Sequence, residues 1–272
     1  MPELPEVETI CRGLAPSIVQ QKIITITIYN NKLRYPIPKN ISKSLAKQTI
    51  QKIYRRGKYI LLTTKKGTLI IHLGMSGTLQ IKPKNHPSGK HEHFILTFAN
   101  DLSLRYKDPR RFGAILWTNK DPLKHPLLKK LGIEPLDNNF TANYLYDRAK
   151  SKHCAVKQFI MNNEVVTGIG NIYANEVLFA AKINPLTAAN TITLHRYQIL
   201  AKEIKKILRS AIKHRGTTIQ DHTDSHGKQG SFQNKLKIYG KFDENCCRCQ
   251  TKLTHIKLGQ RTTFFCLFCQ NN

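Results

Sequence analysis

Two groups of residues in this sequence have the types and spacing to do chemistry. The first is the start, Met1-Pro2-Glu3-Leu4-Pro5-Glu6-Val7-Glu8. Methionine aminopeptidases generally remove Met1 when a small residue such as proline follows, which would leave Pro2 with a free secondary amine. An α-amino group titrates near pH ~8, so an appreciable fraction is unprotonated and nucleophilic at neutral pH. Attack by such an amine on a carbon such as a sugar C1′ forms a cationic iminium. This electron sink acidifies the neighbouring C2′ proton and splits one hard step into two easier ones. Glu3, next in the chain, is placed to serve as general acid or base. The same residues also read as an ordinary helix start, with Pro5 in the first turn and Glu6 and Glu8 near the positive end of the helix dipole.

The second group is in the tail. Cys246 and Cys249 make a C-x2-C step, sixteen residues follow, and Cys266 and Cys269 repeat it. That pattern fits a closed tetrahedral four-thiolate zinc site, structural because no coordination position is left open. Cys247 makes the first step ambiguous. Cys247 with Cys249 would be a tighter C-x-C chelate, and the matching two-residue gap of the second pair favours Cys246 with Cys249. Between the pairs lie Lys252, His255, Lys257 and Arg261, cations carried on a short hairpin.

Composition narrows the partner. Lys and Arg number 44 against 17 Asp and Glu in 272 residues, a formal charge of +27, which points to a polyanion. No run of about 18 apolar residues argues for a membrane span, and no apolar stretch at the start reads as a signal peptide. A cytosolic, reducing compartment is expected, with the paired tail cysteines holding metal rather than disulfides.

The elements that must position these groups follow from periodicity. Leu4, Val7, Ile10, Cys11 and Leu14 predict a helix over residues 3–16, ending near Gly13 and Pro16. β-Branched and alternating stretches at 23–29, 59–63, 68–73, 94–99 and 114–118, joined by Gly, Pro and Asn turns, predict an antiparallel sandwich. After residue 141 the chain reads as helical. Tyr197, Leu200, Ile204, Ile207, Leu208 and Ala211 form one stripe closed by His214, Arg215 and Gly216. The expected division is 1–118 as an N-terminal sandwich domain, 119–140 as linker, 141–237 as a helical domain and 238–272 as a zinc finger. The polar stretch 217–237 is a long loop of functional type. Gly168-Ile169-Gly170-Asn171 leads into an apolar helix, with Asn171 placed as N-cap. It reads either as a simple turn or as a phosphate-accepting helix start. Lys58 at a strand start, Met75 between two glycines, and Arg110 with Phe112 in a turn each read as surface or core residues, or as contacts to a nucleic acid.

Taken together, PELPEVE at the start, RRGKY, HLGMSG, DPRRFG, GIGNIYANE and the tail C-x2-C…QRTTFFCLFCQ resemble bacterial formamidopyrimidine-DNA glycosylases, end to end and in order. The resemblance implies an α+β multidomain protein. It would comprise an N-terminal antiparallel β-sandwich with an N-terminal helix, a C-terminal helix–two-turns–helix region and a zinc-ribbon hairpin, with DNA in a cleft between the halves. It implies excision of 8-oxoguanine and formamidopyrimidines, followed by strand cleavage by β,δ-elimination. Pro2 would be the Schiff-base nucleophile and Glu3 the proton donor. Lys58 would assist β-elimination, and Arg261 δ-elimination and phosphate binding. His72, His91, Arg110, Lys152, Asn171 and Tyr239 would contact DNA. Met75, Arg110 and Phe112 would fill the void left by a flipped nucleotide, and the 217–237 loop would cap the extruded base. One structural Zn2+ per chain, damaged double-stranded DNA as partner, a monomeric state, no membrane and a cytoplasmic, nucleoid-associated location complete the expectation. Two rival readings are an endonuclease VIII-like enzyme for oxidised pyrimidines and a non-catalytic DNA-binding zinc protein. The Leu4-Pro5-Glu6-Val7-Glu8 start, DPRRFG and the long loop favour the purine reading. Intact Pro2, Glu3, Lys58 and Arg261 weigh against the second rival.

Overall fold

A computed structural model describes residues 1–217 and 230–271. The chain divides into two compact units, Met1–Lys129 with His214–Gln233, and Lys130–Lys213 with Asn234–Asn272.

The first unit opens with helix α1 (Leu4–Ile18). It then carries β1 (Ile23–Ile28), a short α2 (Ile41–Leu45), β2 (Lys52–Arg56), β3 (Tyr59–Thr64), β4 (Gly67–His72) and β5 (Thr78–Pro83). β6 (Glu92–Phe98), β7 (Leu102–Lys107) and β8 (Ala114–Thr118) complete it. The strands form two four-stranded antiparallel sheets, ordered β1-β6-β7-β5 and β2-β3-β4-β8. Their facing side chains, among them Ile60, Leu62, Leu69, Ile71, Leu96 and Leu104, share one core with Val7, Leu14 and Ile18 of α1. The helix therefore sits on the sandwich by its apolar stripe.

α1 extends past both of its expected stops, through Gly13 and Pro16 to Ile18. Leu14 and Ile18 are fully buried, so burial of the last turn outweighs the hydrogen bond that Pro16 cannot donate. At the other end, the Glu6 carboxylate accepts from the Glu3 backbone N–H at 2.9 Å, the return half of a capping box.

The second unit holds α3 (Ala142–Ala149), α4 (Val156–Met161), α5 (Asn171–Ala180) and α6 (Leu194–Lys213), followed by the hairpin β9 (Thr254–Leu258) and β10 (Arg261–Phe265). α6 buries Tyr197, Leu200, Ala201, Ile204, Leu208 and Ala211, the predicted stripe with Ala201 in place of the half-buried Ile207. Arg215 and Gly216 then take left-handed φ values of 60° and 75°, which ends the helix. The hairpin has its own small core of Ile238, Leu253, Phe264 and Phe265 packed with Phe179 of α5. Among the described residues, no helix is long and apolar enough to cross a membrane.

Candidate active site and metal centre

Pro2, Glu3 and Lys58 are all buried, Glu3 at 3 % and Lys58 at 8 % exposure, which is unusual for charged side chains on so basic a protein. Lys58 lies in the two-residue turn between β2 and β3, after Gly57 at φ 57°, where Arg56 pairs with Tyr59. This turn is tied to α1 by a short relay. Arg55 donates to the Glu8 carboxylate at 3.1 Å and to the Gly57 carbonyl at 3.1 Å. Burial alone would raise the Glu8 carboxyl, but Arg12 and Arg55 outweigh it and hold it below the usual carboxylate value. The helix whose N-cap is Glu3 is thus linked through Glu8 and Arg55 to the backbone beside Lys58.

Glu6 joins the start of α1 to a more distant stretch. Its Oε1 accepts from the Thr217 backbone N–H at 2.8 Å and from the Thr217 hydroxyl at 3.1 Å. Gly216 at φ 75° packs so closely that a Cβ there would meet the Glu6 carboxylate. Thr217 is where the 217–237 loop begins. Residues 218–229 of that loop lie outside the described residues, and the chain resumes at Gly230, with a short 3-10 turn over Phe232–Lys235.

Met75, Arg110 and Phe112 sit on two neighbouring loops, and buried Asp108 holds the loops together. Its Oδ1 accepts from Ser76 Oγ at 2.6 Å, while its Oδ2 accepts from the Tyr106 hydroxyl at 3.0 Å and the Gly113 N–H at 2.9 Å. Burial and the adjacent carboxylate push Tyr106 far above its ordinary value, so its hydroxyl stays a donor. Ser76 Oγ also accepts from the Arg110 N–H at 3.3 Å. Gly74, at φ 63°, lies directly against the Phe112–Gly113 backbone, where a side chain would collide. On this base Met75 and Phe112 stay 37 % and 47 % exposed, and the Arg110 guanidinium stacks 4.7 Å over the Phe112 ring. Both apolar side chains therefore stay at the surface on a base held in place by buried hydrogen bonds.

His72 ends β4 beside this cluster, its ring 4.8 Å from that of Tyr59. Burial, reinforced by the Lys58 and Arg34 cations, pushes its imidazole down to about 4. The neutral ring accepts from the Gly74 N–H through Nδ1 at 3.1 Å, which leaves Nε2 as the donor. His91, at φ 68°, accepts from the Asp108 N–H through its backbone carbonyl.

In the second unit the four cysteine sulfurs of Cys246, Cys249, Cys266 and Cys269 lie within 4.8 Å of one another, and exposed Cys247 stands outside the cluster. The Cys246–Cys269 separation is 3.8 Å, close to the ~3.8 Å edge of a tetrahedron with ~2.3 Å metal–sulfur bonds. Backbone N–H groups of Arg248 and Cys269 point at the Cys246 and Cys266 sulfurs at 3.4 Å each, donors that favour thiolate. Thr251 pulls the Cys249 thiol down to about 6, while burial and the neighbouring thiols push Cys269 up to about 12. Four soft donors crowded in this way fit a divalent cation that offsets their mutual repulsion.

The hairpin is fixed to the helices by polar side chains. Lys157 of α4, 1 % exposed, donates to the Thr262 carbonyl at 3.1 Å and to Thr263 Oγ1 at 2.7 Å. Asn171 Nδ2 donates to the same Thr262 carbonyl at 3.1 Å, and Asn175 Oδ1 accepts from the Phe264 N–H at 2.8 Å. Asn171 is therefore the first residue of α5 and not its cap: Gly170 takes the cap position and no side chain caps the helix. Its amide instead steadies the strand next to exposed Arg261. Glu176 collects the backbone N–H groups of Lys237, Ile238 and Tyr239 at 2.9–3.1 Å, and the Tyr239 ring packs edge-on against Phe264. Lys152 is exposed at the end of the α3 turn.

Asp108, Glu6, Lys157, Asn175 and Glu176 escaped the sequence reading as positioning residues. Lys157 left one signal, a lysine between Val156 and Phe159 at an apolar position of α4. Glu6, Asn175 and Glu176 hold backbone N–H groups 61 to 211 residues away, and Asp108 takes the Ser76 hydroxyl 32 residues away, contacts for which no local pattern exists.

The family model described as the formamidopyrimidine-DNA glycosylase N-terminal domain matches residues 1–115, and that for the formamidopyrimidine-DNA glycosylase H2TH domain matches residues 131–223. A formamidopyrimidine-DNA glycosylase of Psychromonas ingrahamii is 49 % identical over 271 residues, covering 100 % of both chains. A Lactococcus lactis Fpg mutant solved in complex with a Fapy-dG containing DNA superposes with a TM-score of 0.92 at 37 % identity, covering 100 % of both chains. The Lactococcus lactis Fpg in complex with an abasic site containing DNA also gives 0.92 at 37 %, covering 99 % of this chain and 100 % of that one. The chain belongs to the formamidopyrimidine-DNA glycosylase family.

Proposed function

We propose that this protein is a bifunctional DNA repair glycosylase and AP lyase, acting as a monomer on oxidised purines in double-stranded DNA. The observation that carries this reading is the burial of Pro2, Glu3 and Lys58 together with the Glu8–Arg55–Gly57 relay that links the start of α1 to the Lys58 turn. Family membership and the DNA complexes of its structural relatives support it.

In this reading Met1 is removed and the Pro2 nitrogen attacks C1′ as the glycosidic C–N bond breaks and the base leaves. Glu3 supplies the proton needed to release C1′ from the ring oxygen. The resulting iminium acidifies C2′, whose proton is lost as the 3′ phosphate departs. A second elimination releases the 5′ phosphate. Lys58 assists the first elimination, and Arg261 the second, through its hold on phosphate. Extrusion of the nucleotide costs a few kcal/mol of stacking and pairing, which phosphate contacts offset. Met75, Arg110 and Phe112 would occupy the vacated space. His72, His91, Lys152, Asn171 and Tyr239 would hold the backbone, His72 as a neutral Nε2–H donor. Residues 217–237 would cap the base.

Cys246, Cys249, Cys266 and Cys269 would hold one Zn2+, which neutralises the thiolates and supplies no chemistry to the reaction. The role of these cysteines is to fix the hairpin that presents Arg261. Such an enzyme would work on the nucleoid in the cytoplasm. The long loop and the braced wedge favour oxidised purines over oxidised pyrimidines as substrates.

The test is borohydride reduction during reaction with an 8-oxoguanine duplex. A covalent adduct at Pro2 is expected, sharply reduced in Pro2→Gly or behind an uncleaved N-terminal tag. Undiminished trapping through a lysine would overturn the assignment.

A further inference from the structure

One cationic surface lies outside every role assigned above. Helix α6 exposes Lys202, Lys206, Arg209 and Lys213, spaced four, three and four residues apart. At about 100° per residue these positions fall within an arc of roughly 60°, opposite the buried Tyr197, Leu200, Ile204 and Leu208. They make one straight stripe, about 16 Å long at 1.5 Å per residue.

This stripe is not the usual solvated face. A helix surface built for its own stability mixes signs, because like charges three or four apart repel. Here Lys202 with Lys206, Lys206 with Arg209, and Arg209 with Lys213 are all such pairs. The only acidic residue of α6 is Glu203, which reaches Lys206 at 3.8 Å. Among the described residues, no carboxylate pairs with Lys202, Arg209 or Lys213. The flanking cations are engaged elsewhere, Arg196 with the Lys182 carbonyl and Lys205 over the Phe140 ring. The stripe is thus four neighbouring like charges on a rigid rod, a self-repulsion that a line of phosphates would relieve.

We propose that this face of α6 binds the sugar–phosphate backbone of duplex DNA as a second, sequence-independent contact outside the lesion site. A length of about 16 Å matches roughly five base-pair steps at ~3.4 Å. Single strands are held on aromatic platforms, and the exposed stripe carries none. An anionic membrane would require an apolar face, and that of α6 is buried in its own unit. The choice of DNA as polyanion rests on the proposed function, whereas the charge stripe does not.

The experiment compares the wild type with Lys202→Gln/Lys206→Gln/Arg209→Gln/Lys213→Gln. It measures affinity for an undamaged duplex of about 40 base pairs across a salt series. In parallel, borohydride trapping is followed on a lesion duplex of about 13 base pairs, which carries little duplex beyond the lesion. The quadruple variant should lower the log–log salt slope on the long duplex by about three and weaken binding at least tenfold near 150 mM salt. Trapping on the short lesion duplex should stay within about twofold, since no lesion-site residue is touched. A four-fold Lys/Arg exchange that keeps the charge should retain the slope. An unchanged slope in the glutamine variant overturns the proposal. An equal loss on the short lesion duplex also overturns it, by placing the stripe within the lesion site. Should the quadruple variant melt early, Lys206→Gln/Arg209→Gln carries the same test with about half the slope change. A wild type that fails to trap defeats the functional reading alone, because the undamaged-duplex slopes still decide the stripe.

Discussion

Asp108 shows how much of a surface can depend on one buried carboxylate. Its carboxylate takes three donors, from Ser76, Tyr106 and Gly113, and so joins the loop bearing Met75 to the loop bearing Arg110 and Phe112. In Asp108→Asn one acceptor oxygen becomes a donor facing donors, at a cost of about 1–3 kcal/mol for groups left unpaired in the interior. A lower melting temperature and weaker binding to a lesion duplex are expected together. A variant that lost stability but kept full lesion affinity would show that lesion binding does not depend on this brace. His72 gives a pH signature at the same scale. Its imidazole titrates at about 4 in the folded protein against an ordinary 6.5, so the unfolded chain binds more protons across that window. Stability contributed by neutral His72 is therefore present above pH 6.5 and lost as pH falls towards 4. His72→Gln should flatten the acid limb of a melting-temperature profile between those values, and a limb of unchanged slope would remove His72 as its cause. The reactive types were legible in the sequence because they carry position or spacing: a proline at residue 2, and cysteines two apart. Asp108 was visible only as part of a turn, since its bond to the Ser76 loop, 32 residues away, is made only by folding.

At the scale of elements, legibility followed chemistry. β1, β3, β4, β6 and β8 are β-branched and apolar, and their pattern revealed them. β5 and β7 interleave Lys, Arg and Gln with their apolar residues, and β2 carries two arginines, so their pattern is diluted. Two of them brace the candidate site, with Arg55 on β2 tying the Lys58 turn and Tyr106 on β7 donating to Asp108. The hairpin β9–β10 was legible through its cysteines, whereas its mounting on α4 and α5 through Lys157, Asn171 and Asn175 was not. Two predictions separate folding of the hairpin from its placement. Cys246→Ser should lose zinc and DNA binding while Cys247→Ser keeps both, as measured by metal stoichiometry on the purified variants; the reverse outcome would exchange the ligand assignment. Asn175→Ala leaves every sulfur in place but deprives the Phe264 N–H of its acceptor, a loss of about 1–3 kcal/mol. It should retain zinc and still bind DNA less tightly, because Arg261 is no longer presented at a fixed angle. Full DNA affinity in that variant would show that the helices do not set the position of the hairpin.

At the scale of the whole molecule the governing quantity is the charge of +27, which the folded chain does not neutralise internally. Pairs such as Lys84 with Asp101 and Lys150 with Asp147 are exposed and weak. The buried pairs, Arg55 with Glu8 and Arg105 with Glu92, use carboxylates to position cations within the sandwich. Most of the remaining positive charge is therefore available to an external polyanion. Affinity for duplex DNA should consequently fall steeply and linearly on a log–log plot against salt, each phosphate contact contributing about 0.9 to the slope. Arg261 gives this expectation a single-residue form. It is exposed at the first position of β10, next to the Thr262 carbonyl that Lys157 and Asn171 both hold, so its backbone is fixed while its side chain faces solvent. Arg261→Ala should lower the slope by about one contact, weaken binding similarly across sequences and leave the melting temperature nearly unchanged. If the slope stays constant while strand cleavage slows, Arg261 acts on the reaction without holding phosphate. If both stay constant, neither part of its proposed role stands.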